Sequence, residues 1–407
     1  MRVIDLLIDN IGVLATARKS PWRFGDDVFI MENAAVAVSR GEVLDVGPSS
    51  AIRKRYRASR VIDARNRLVT PALVDAHTHM LFAGDRSWEL KLKLGGVTYG
   101  EILRRGGGIY STIESTEAAS DEELMRGLED RVGAAIMHGA GALEVKTGYA
   151  AAPSGEARLL NIIRRIKSTA KLVDTLLMHV PPRGRDREAH VDAMIEALPQ
   201  LMPSFVDVFC DDGAFTVDES KRFLSAAARL GIGLRLHADE LANIGCSELI
   251  GELSLSSIDH LLKTPGDVMA MIAKSRTAAV LLPCTALSMM SGEKPRVDVL
   301  RREGGIPALG TDFSPNSWCP SMEAAMELST YLYGLTPLEA LMAATTNSAY
   351  SLGLKDVGVV APGSRALLAI WKVNDIDWLT YWMGGGKLSL LVLGSIVVEP
   401  KAASPAT

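Results

Sequence analysis

The chain is poor in cysteine: its 407 residues carry four, Cys210, Cys246, Cys284 and Cys319, with no CxxC pair among them. That excludes a paired-thiol motif, and the scatter reads as reduced thiols in a cytoplasmic protein. Long apolar runs are missing too, since none approaches the roughly 18 residues that span a bilayer. The N-terminus sets Asp5 and Asp9 inside its apolar run, which is not the pattern of a signal peptide. Excess positive charge is absent; a net charge of −4 gives no reason to expect nucleic acid or an acidic membrane as partner. No internal repeat and no low-complexity linker interrupts the sequence. What remains is 48% hydrophobic and 23% charged, the composition of a well-packed globular protein. The length suits one large domain of about 250 residues or more with a smaller one beside it.

Residues 1–68 are rich in short β-like runs (Val3–Ile8, Ala35–Val38, Val43–Val46, Val61-Ile62), with Arg40-Gly41-Glu42 as a hairpin-like turn. From residue 69 to 352 the pattern becomes alternating β and α. Candidate strands are Val69–Ala76, Ala142–Val145, Lys171–His179, Val206–Phe209, Gly233–His237, Ser256–Asp259, Ala278–Leu282 and Ile306–Gly310. Helical stretches separate them, among them Asp121–His138, Leu241–Glu252 and Pro337–Leu352. Several open on capping signatures such as Ser120-Asp121-Glu122-Glu123 and Thr336-Pro337-Leu338-Glu339. Eight strand–helix units are the count of a closed (β/α)₈ barrel, an α/β fold. An open doubly wound sheet would need a GxGxxG between strand and helix; the glycine runs at 106–108 and 384–386 follow no such strand and read as loops. After residue 353 the β character returns in Arg365–Val373 and Leu388–Val398. Neither flank can bury a core alone, so residues 1–68 and 353–398 are expected to build one small β-sandwich domain around the barrel of 69–352. The tail, 399–407, is expected to fray.

The densest chemistry lies at residues 69–86. An apolar run passes Asp75 and leaves through His77-Thr78-His79. Side chains alternate faces along a strand, so His77 and His79 point the same way and form half a metal site. Arg86 follows, placed to clamp an anion. Five of the seven histidines fall at strand ends: His77 and His79 on the first, His179 on the third, His237 on the fifth and His260 on the sixth. His138 and His190 lie in helical stretches and read as surface or packing residues. The eighth strand contributes Asp312. Reactive groups of such a barrel gather at the C-terminal ends of its strands. His77, His79, His237 and Asp312 therefore make a His₃Asp set for one divalent ion, zinc or iron. The second oxygen of Asp312 can take a proton from water that the ion has acidified. Glu240 is close enough in sequence to His237 to reach that water or a leaving nitrogen. His260, beside Asp259, is placed to hydrogen-bond a substrate carbonyl or the water, and Asp75 is a candidate to orient an imidazole.

These residues resemble the amidohydrolase superfamily, whose pattern is HxH after strand one, histidines on strands five and six, and Asp on strand eight. No lysine on strand four is placed to bridge two metals, which favours its mononuclear branch. Longer phrases narrow the resemblance: Phe82-Ala83-Gly84-Asp85-Arg86, Gly96-Val97-Thr98-Tyr99, Arg105-Gly106-Gly107-Gly108-Ile109, Glu144-Val145-Lys146-Thr147-Gly148-Tyr149, Val206-Asp207-Val208-Phe209-Cys210 and His237-Ala238-Asp239-Glu240-Leu241. They are similar to the branch that opens an imidazolone ring bearing a propionate. The resemblance implies hydrolysis of a cyclic-amide C–N bond, a small imidazolone carboxylate as substrate, and a homodimer. It implies substrate binding by Arg86, Tyr99, Tyr149 and His179, with Arg86 forking the carboxylate. After Asp312 the family usually reads Asn-Pro-Gly; here Ser314 and Asn316 replace that Asn and Gly, at positions that help hold the carboxylate end. Two rival expectations follow. An aminohydrolase of a purine, pyrimidine or triazine base would share the metal set, with less need for Arg86. A non-catalytic barrel scaffold would typically have lost ligands, and this chain keeps all of them.

Overall fold

A computed structural model describes residues 1–97, 99–184 and 186–400, with side chains throughout except at 99, 100 and 103. The expectation for the Tyr99 side chain, and that for the tail from residue 401, lie outside the described residues.

The N-terminal β runs are much longer than their apolar cores indicate. β1 (Arg2–Ala17) pairs antiparallel with β2 (Val28–Ser39), which turns tightly into β3 (Glu42–Pro48). A short helix, Ser49–Arg55, then returns the chain as β4 (Tyr56–Pro71), parallel to β1. Three strands from the other end of the sequence, β13 (Leu367–Trp371), β14 (Leu388–Leu393) and β15 (Ile396–Val398), extend the free edge of β4. The order is β15-β14-β13-β4-β1-β2-β3, one seven-stranded sheet. It bends over on itself: the Val43 amide donates to the Ser364 carbonyl at 2.8 Å and the Ala366 amide to Gly41 at 2.9 Å. Leu6, Ile8, Leu14, Val36, Val38, Ile62, Leu368 and Val392 fill the fold and give this sheet its own core. The sandwich expected from sequence is thus a single sheet folded over.

The barrel strands are β5 (Leu73–Asp75), β6 (Ala140–Lys146), β7 (Lys171–Met178), β8 (Phe205–Cys210), β9 (Gly233–Ala238), β10 (Ser257–His260), β11 (Ala278–Leu281) and β12 (Ile306–Leu309). All pair in parallel, in chain order. The strand read as Val69–Ala76 is two strands, because Val69–Pro71 pair with β13 and only Leu73–Asp75 with β6. Closure between β12 and β5 rests on irregular bonds. The Asp312 amide donates to the His77 carbonyl at 2.9 Å, and Asp75 accepts from the Thr311 amide and hydroxyl at 2.9 and 2.6 Å. Asp75 was expected to orient an imidazole; its carboxylate instead ties the first barrel strand to the eighth. Gly310 is required at this seam, since a Cβ there would stand 2.7 Å from the His77 Cβ.

The capping boxes at Ser120/Glu123 and Thr336/Glu339 form as read, starting helices at Asp121 and Pro337. The helix expected over Leu241–Glu252 is reduced to a 3₁₀ segment, Cys246–Gly251. Asp211 is the cause: its two oxygens accept from the amides of Glu240, Leu241 and Ala242 at 2.8–2.9 Å, holding the stretch as an open loop. A disulfide joins Cys210 to Cys246, whose Cα atoms are 5.8 Å apart. The four cysteines are therefore not all reduced thiols; Cys284 and Cys319 remain so. Sequence spacing could not reveal the pair, because the end of β8 and the 3₁₀ segment meet only in the folded barrel. The cytoplasmic reading loses two of the thiols on which it rested. Among the described residues, no helix is long and apolar enough to cross a membrane.

Candidate metal centre and active site

At the C-terminal mouth of the barrel His77, His79, His237 and Asp312 converge on one buried point. The Nε2 of His79 lies 3.1 Å from that of His77 and 3.3 Å from that of His237. Asp312 Oδ1 stands 3.2 Å from His79 Nε2 and 3.6 Å from His77 Nε2. The His77 Nδ1 lies 2.6 Å from Asp259 Oδ2, so the ring proton belongs on Nδ1 and the Nε2 lone pair faces its neighbours. The His237 Nδ1 is 2.9 Å from Asp207 Oδ2 and orients the same way. Burial pushes the pKa values of His77 and His79 well below the ordinary range, keeping the rings neutral. Several lone pairs and a carboxylate crowded into one dry volume repel unless a cation sits among them. The donor set fits a borderline divalent ion. A second grouping, His77, His260 and Asp312, also brings its ligand atoms within 4.8 Å of one another.

Beneath this point lies a layer of buried charge that the strand reading missed. Lys146 Nζ reaches Asp207 at 2.6 Å and Glu144 at 2.8 Å, and Arg235 reaches Glu144 at 2.9 Å and Asp259 at 3.1 Å. All five side chains are fully buried. Although burial opposes it, His237 and Lys146 hold the Asp207 carboxyl well below its usual pKa. The available signal was a charge inside an apolar strand: Glu144 and Lys146 at i, i+2, and Arg235 two before His237. Such positions share a face, here the barrel interior. A buried charge is tolerable only when paired, so the interior had to supply partners.

Above the point a cavity of about 490 Å³ is lined by His79, Arg86, Tyr149, His179, His237, Glu240, His260, Asp312, Ser314 and Asn316. Tyr149 is buried, its ring 5.4 Å from that of His179, which stacks on His79 at 5.0 Å. Its loop is held by Glu156, which accepts from the Gly148 and Ala150 amides at 2.8 Å. Burial raises the Glu240 pKa well above the carboxylate range, helped by the charges of Asp312 and Asp211. Glu240 lies 3.7 Å from His260 Nδ1, and His260 Nε2 is buried without a hydrogen-bond partner. Burial likewise raises Asp312 to about 6, against the Thr285 hydroxyl that donates to its Oδ2 at 2.5 Å. His260 and Asp312 have φ of +74° and +52°, a cost of about 1–3 kcal/mol each that marks a constrained site. Arg86 lines the cavity, but its Nε and Nη2 donate to the two oxygens of Glu89 at 2.8 and 2.9 Å. That edge of the expected carboxylate fork is engaged within the chain. Ser314 Oγ accepts from the Ser317 amide at 3.2 Å, and the Asn316 Oδ1 accepts from Lys93 at 2.7 Å. Lys93 and Thr285 carry no signal in the sequence that sets them apart.

A parallel barrel of eight strands, with side chains at its mouth that could hold a metal ion beside a carboxyl whose pKa burial raises, defines a metal-dependent hydrolase. The chain belongs to the amidohydrolase family, whose profile matches residues 68–397, and within it to the imidazolonepropionases. The imidazolonepropionase of Pyrobaculum arsenaticum is 48% identical over 379 residues, covering 93% of this chain and 96% of the relative. That of Deinococcus radiodurans is 38% identical over 399 residues, 96% of this chain and 98% of the relative. Among solved structures, a zinc complex of an atrazine chlorohydrolase mutant from Arthrobacter aurescens superposes with a TM-score of 0.75 at 17% identity, covering 99% of this chain and 97% of the other. A zinc-bound adenosine deaminase from Xanthomonas campestris gives 0.72 at 17% identity, covering 98% and 94%. At that identity these two share the fold.

Proposed function

We propose that the chain hydrolyses the C–N bond of the cyclic amide in 4-imidazolone-5-propanoate, yielding N-formimidoyl-L-glutamate. The observation that carries this reading is the meeting of a four-donor metal site with a cavity that holds two basic side chains beside it, Arg86 and Lys93. His77, His79, His237 and Asp312 would hold one ion, zinc or iron. Bound there, the ion supplies a Lewis acid that lowers the pKa of water towards about 7 and polarises a carbonyl.

The chain's own groups do the rest. Asp312, raised to about 6, accepts the proton of the attacking water on Oδ2, which Thr285 keeps in place. His260 donates from Nε2 to the oxygen of the ring carbonyl as negative charge develops there. Glu240, whose protonated form burial favours, delivers its proton to the ring nitrogen as the C–N bond breaks. Tyr149 and His179 form the wall that stacks against the ring, and Arg86, Ser314 and Asn316 lie towards its carboxylate. Tyr99 joins the substrate set by resemblance.

The deciding experiment is a spectrophotometric assay of imidazolonepropionate consumption by metal-loaded protein. Turnover supports the reading. Inactivity on that compound, combined with deamination of a purine, pyrimidine or triazine base, overturns it in favour of an aminohydrolase.

A further inference from the structure

The cavity offers two cations among the described residues, Arg86 and Lys93, and the structure treats them differently. Arg86 is buried and gives two hydrogen bonds to Glu89, itself only 1% exposed. The Glu89 Oε1 also accepts from the Gly108 amide at 2.7 Å. Arg86 and Glu89 together carry no net charge. Lys93 sits four residues after Glu89 on the helix Glu89–Leu94, hence on the same face. Its ammonium nevertheless donates to the side-chain oxygen of Asn316, across the mouth on the loop after β12. Asn316 is neutral, so the charge on Lys93 is not cancelled by the partner that holds it. Burial, and after it the nearby Arg86, pull the Lys93 pKa below its ordinary value. Glu89 favours the charge less than Arg86 opposes it, and a half-buried cation held by a neutral partner at a cavity wall carries a cost that an incoming anion offsets.

We infer that Lys93, steadied by Asn316, is the specificity-determining cation that binds the substrate carboxylate, with the Arg86–Glu89 pair as its neutral, rigid backing. The inference rests on the proposed imidazolone carboxylate as substrate. It reassigns the net attractive charge from Arg86 to Lys93. It also gives a defined role to Asn316, where the sequence departs from the family pattern, because the amide oxygen fixes the ammonium without quenching it.

Lys93→Met and Lys93→Arg, made in the full-length metal-loaded enzyme, test this. Losing a charge-assisted bond to a carboxylate raises KM by about 10- to 100-fold. Lys93→Met should show that rise with kcat within about threefold of wild type and an unchanged metal content, and Lys93→Arg should recover most of it. The ionic-strength dependence of KM should flatten in Lys93→Met. Asn316→Gly provides a variant that leaves the lysine in place but unheld; its KM should rise several-fold. An unchanged KM in Lys93→Met, or a loss confined to kcat, overturns the assignment. Should the wild type itself fail to turn over the imidazolone, the functional reading fails first. Calorimetric binding of N-formimidoyl-L-glutamate to wild type and Lys93→Met then decides on Lys93 separately: equal affinity refutes it, and a tenfold or greater loss upholds it.

Discussion

Asp259 is where the buried charge layer meets the metal centre, and substituting it tests how the one serves the other. Its Oδ2 lies 2.6 Å from His77 Nδ1, 3.1 Å from Arg235 Nη2 and 3.9 Å from Lys146 Nζ. In Asp259→Asn the shape is kept and the amide oxygen can take the place of Oδ2, which already serves both His77 and Arg235, but the acceptor loses its charge. A neutral amide oxygen in place of a carboxylate weakens the bonds to both His77 and Arg235, about 1.5–3 kcal/mol together. If that loss falls on the orientation of His77, metal affinity drops by about 10- to 100-fold, the usual cost of removing a carboxylate that supports a ligating imidazole. The two ranges agree, since 1.4 kcal/mol corresponds to about tenfold. The assay titrates zinc from wild type and variant with a chelator of known affinity, and then measures kcat with zinc in excess. The expected result is the weaker Kd together with largely recovered turnover, because His77 is still present to ligate. A wild-type Kd would refute the claim that Asp259 orients the ring. A weak Kd without recovery would refute the claim that its action is confined to metal retention.

Two further outcomes concern stability. The Cys210–Cys246 disulfide spans 36 residues, and closing such a loop in the unfolded chain corresponds to about 4 kcal/mol. The double serine variant should unfold at correspondingly lower denaturant, and mass spectrometry of alkylated, unreduced protein should find two thiols; finding four refutes the bond. Glu156 holds the Tyr149 loop with its pKa raised to about 7 by burial, against the amide bonds that favour its ionised form. A carboxyl raised in the folded state keeps its full contribution below the unfolded value near 4.5 and loses it as pH rises to about 7, roughly 3 kcal/mol in all. Denaturant curves of wild type and Glu156→Gln should therefore diverge between pH 4.5 and 7, with the wild type losing stability; parallel profiles refute the raised pKa.

What the sequence by itself determined was local: strand ends, caps, and which side chains stand at those ends. His77 and His79 two apart, His237 closing an apolar run and Asp312 following another are legible because a strand's period and its C-terminal exit are properties of a few neighbouring residues. What only the tertiary structure decided depends on register and closure between distant segments. Lys146 on β6 reaches Asp207 on β8, past the intervening β7, and Arg235 on β9 reaches Asp259 on the adjacent β10, because the barrel brings their inward-facing side chains together. Asp75 closes the barrel rather than orienting a ring because β12 returns beside β5. Cys210 meets Cys246, and Asp211 unwinds an expected helix, because the loops after β8 and β9 share one rim. The division between Arg86 and Lys93 is of the same kind: both are visible as basic residues near the metal motif. Their charges are told apart only by the fold, which gives one a buried carboxylate and the other a neutral amide from the loop after the eighth barrel strand.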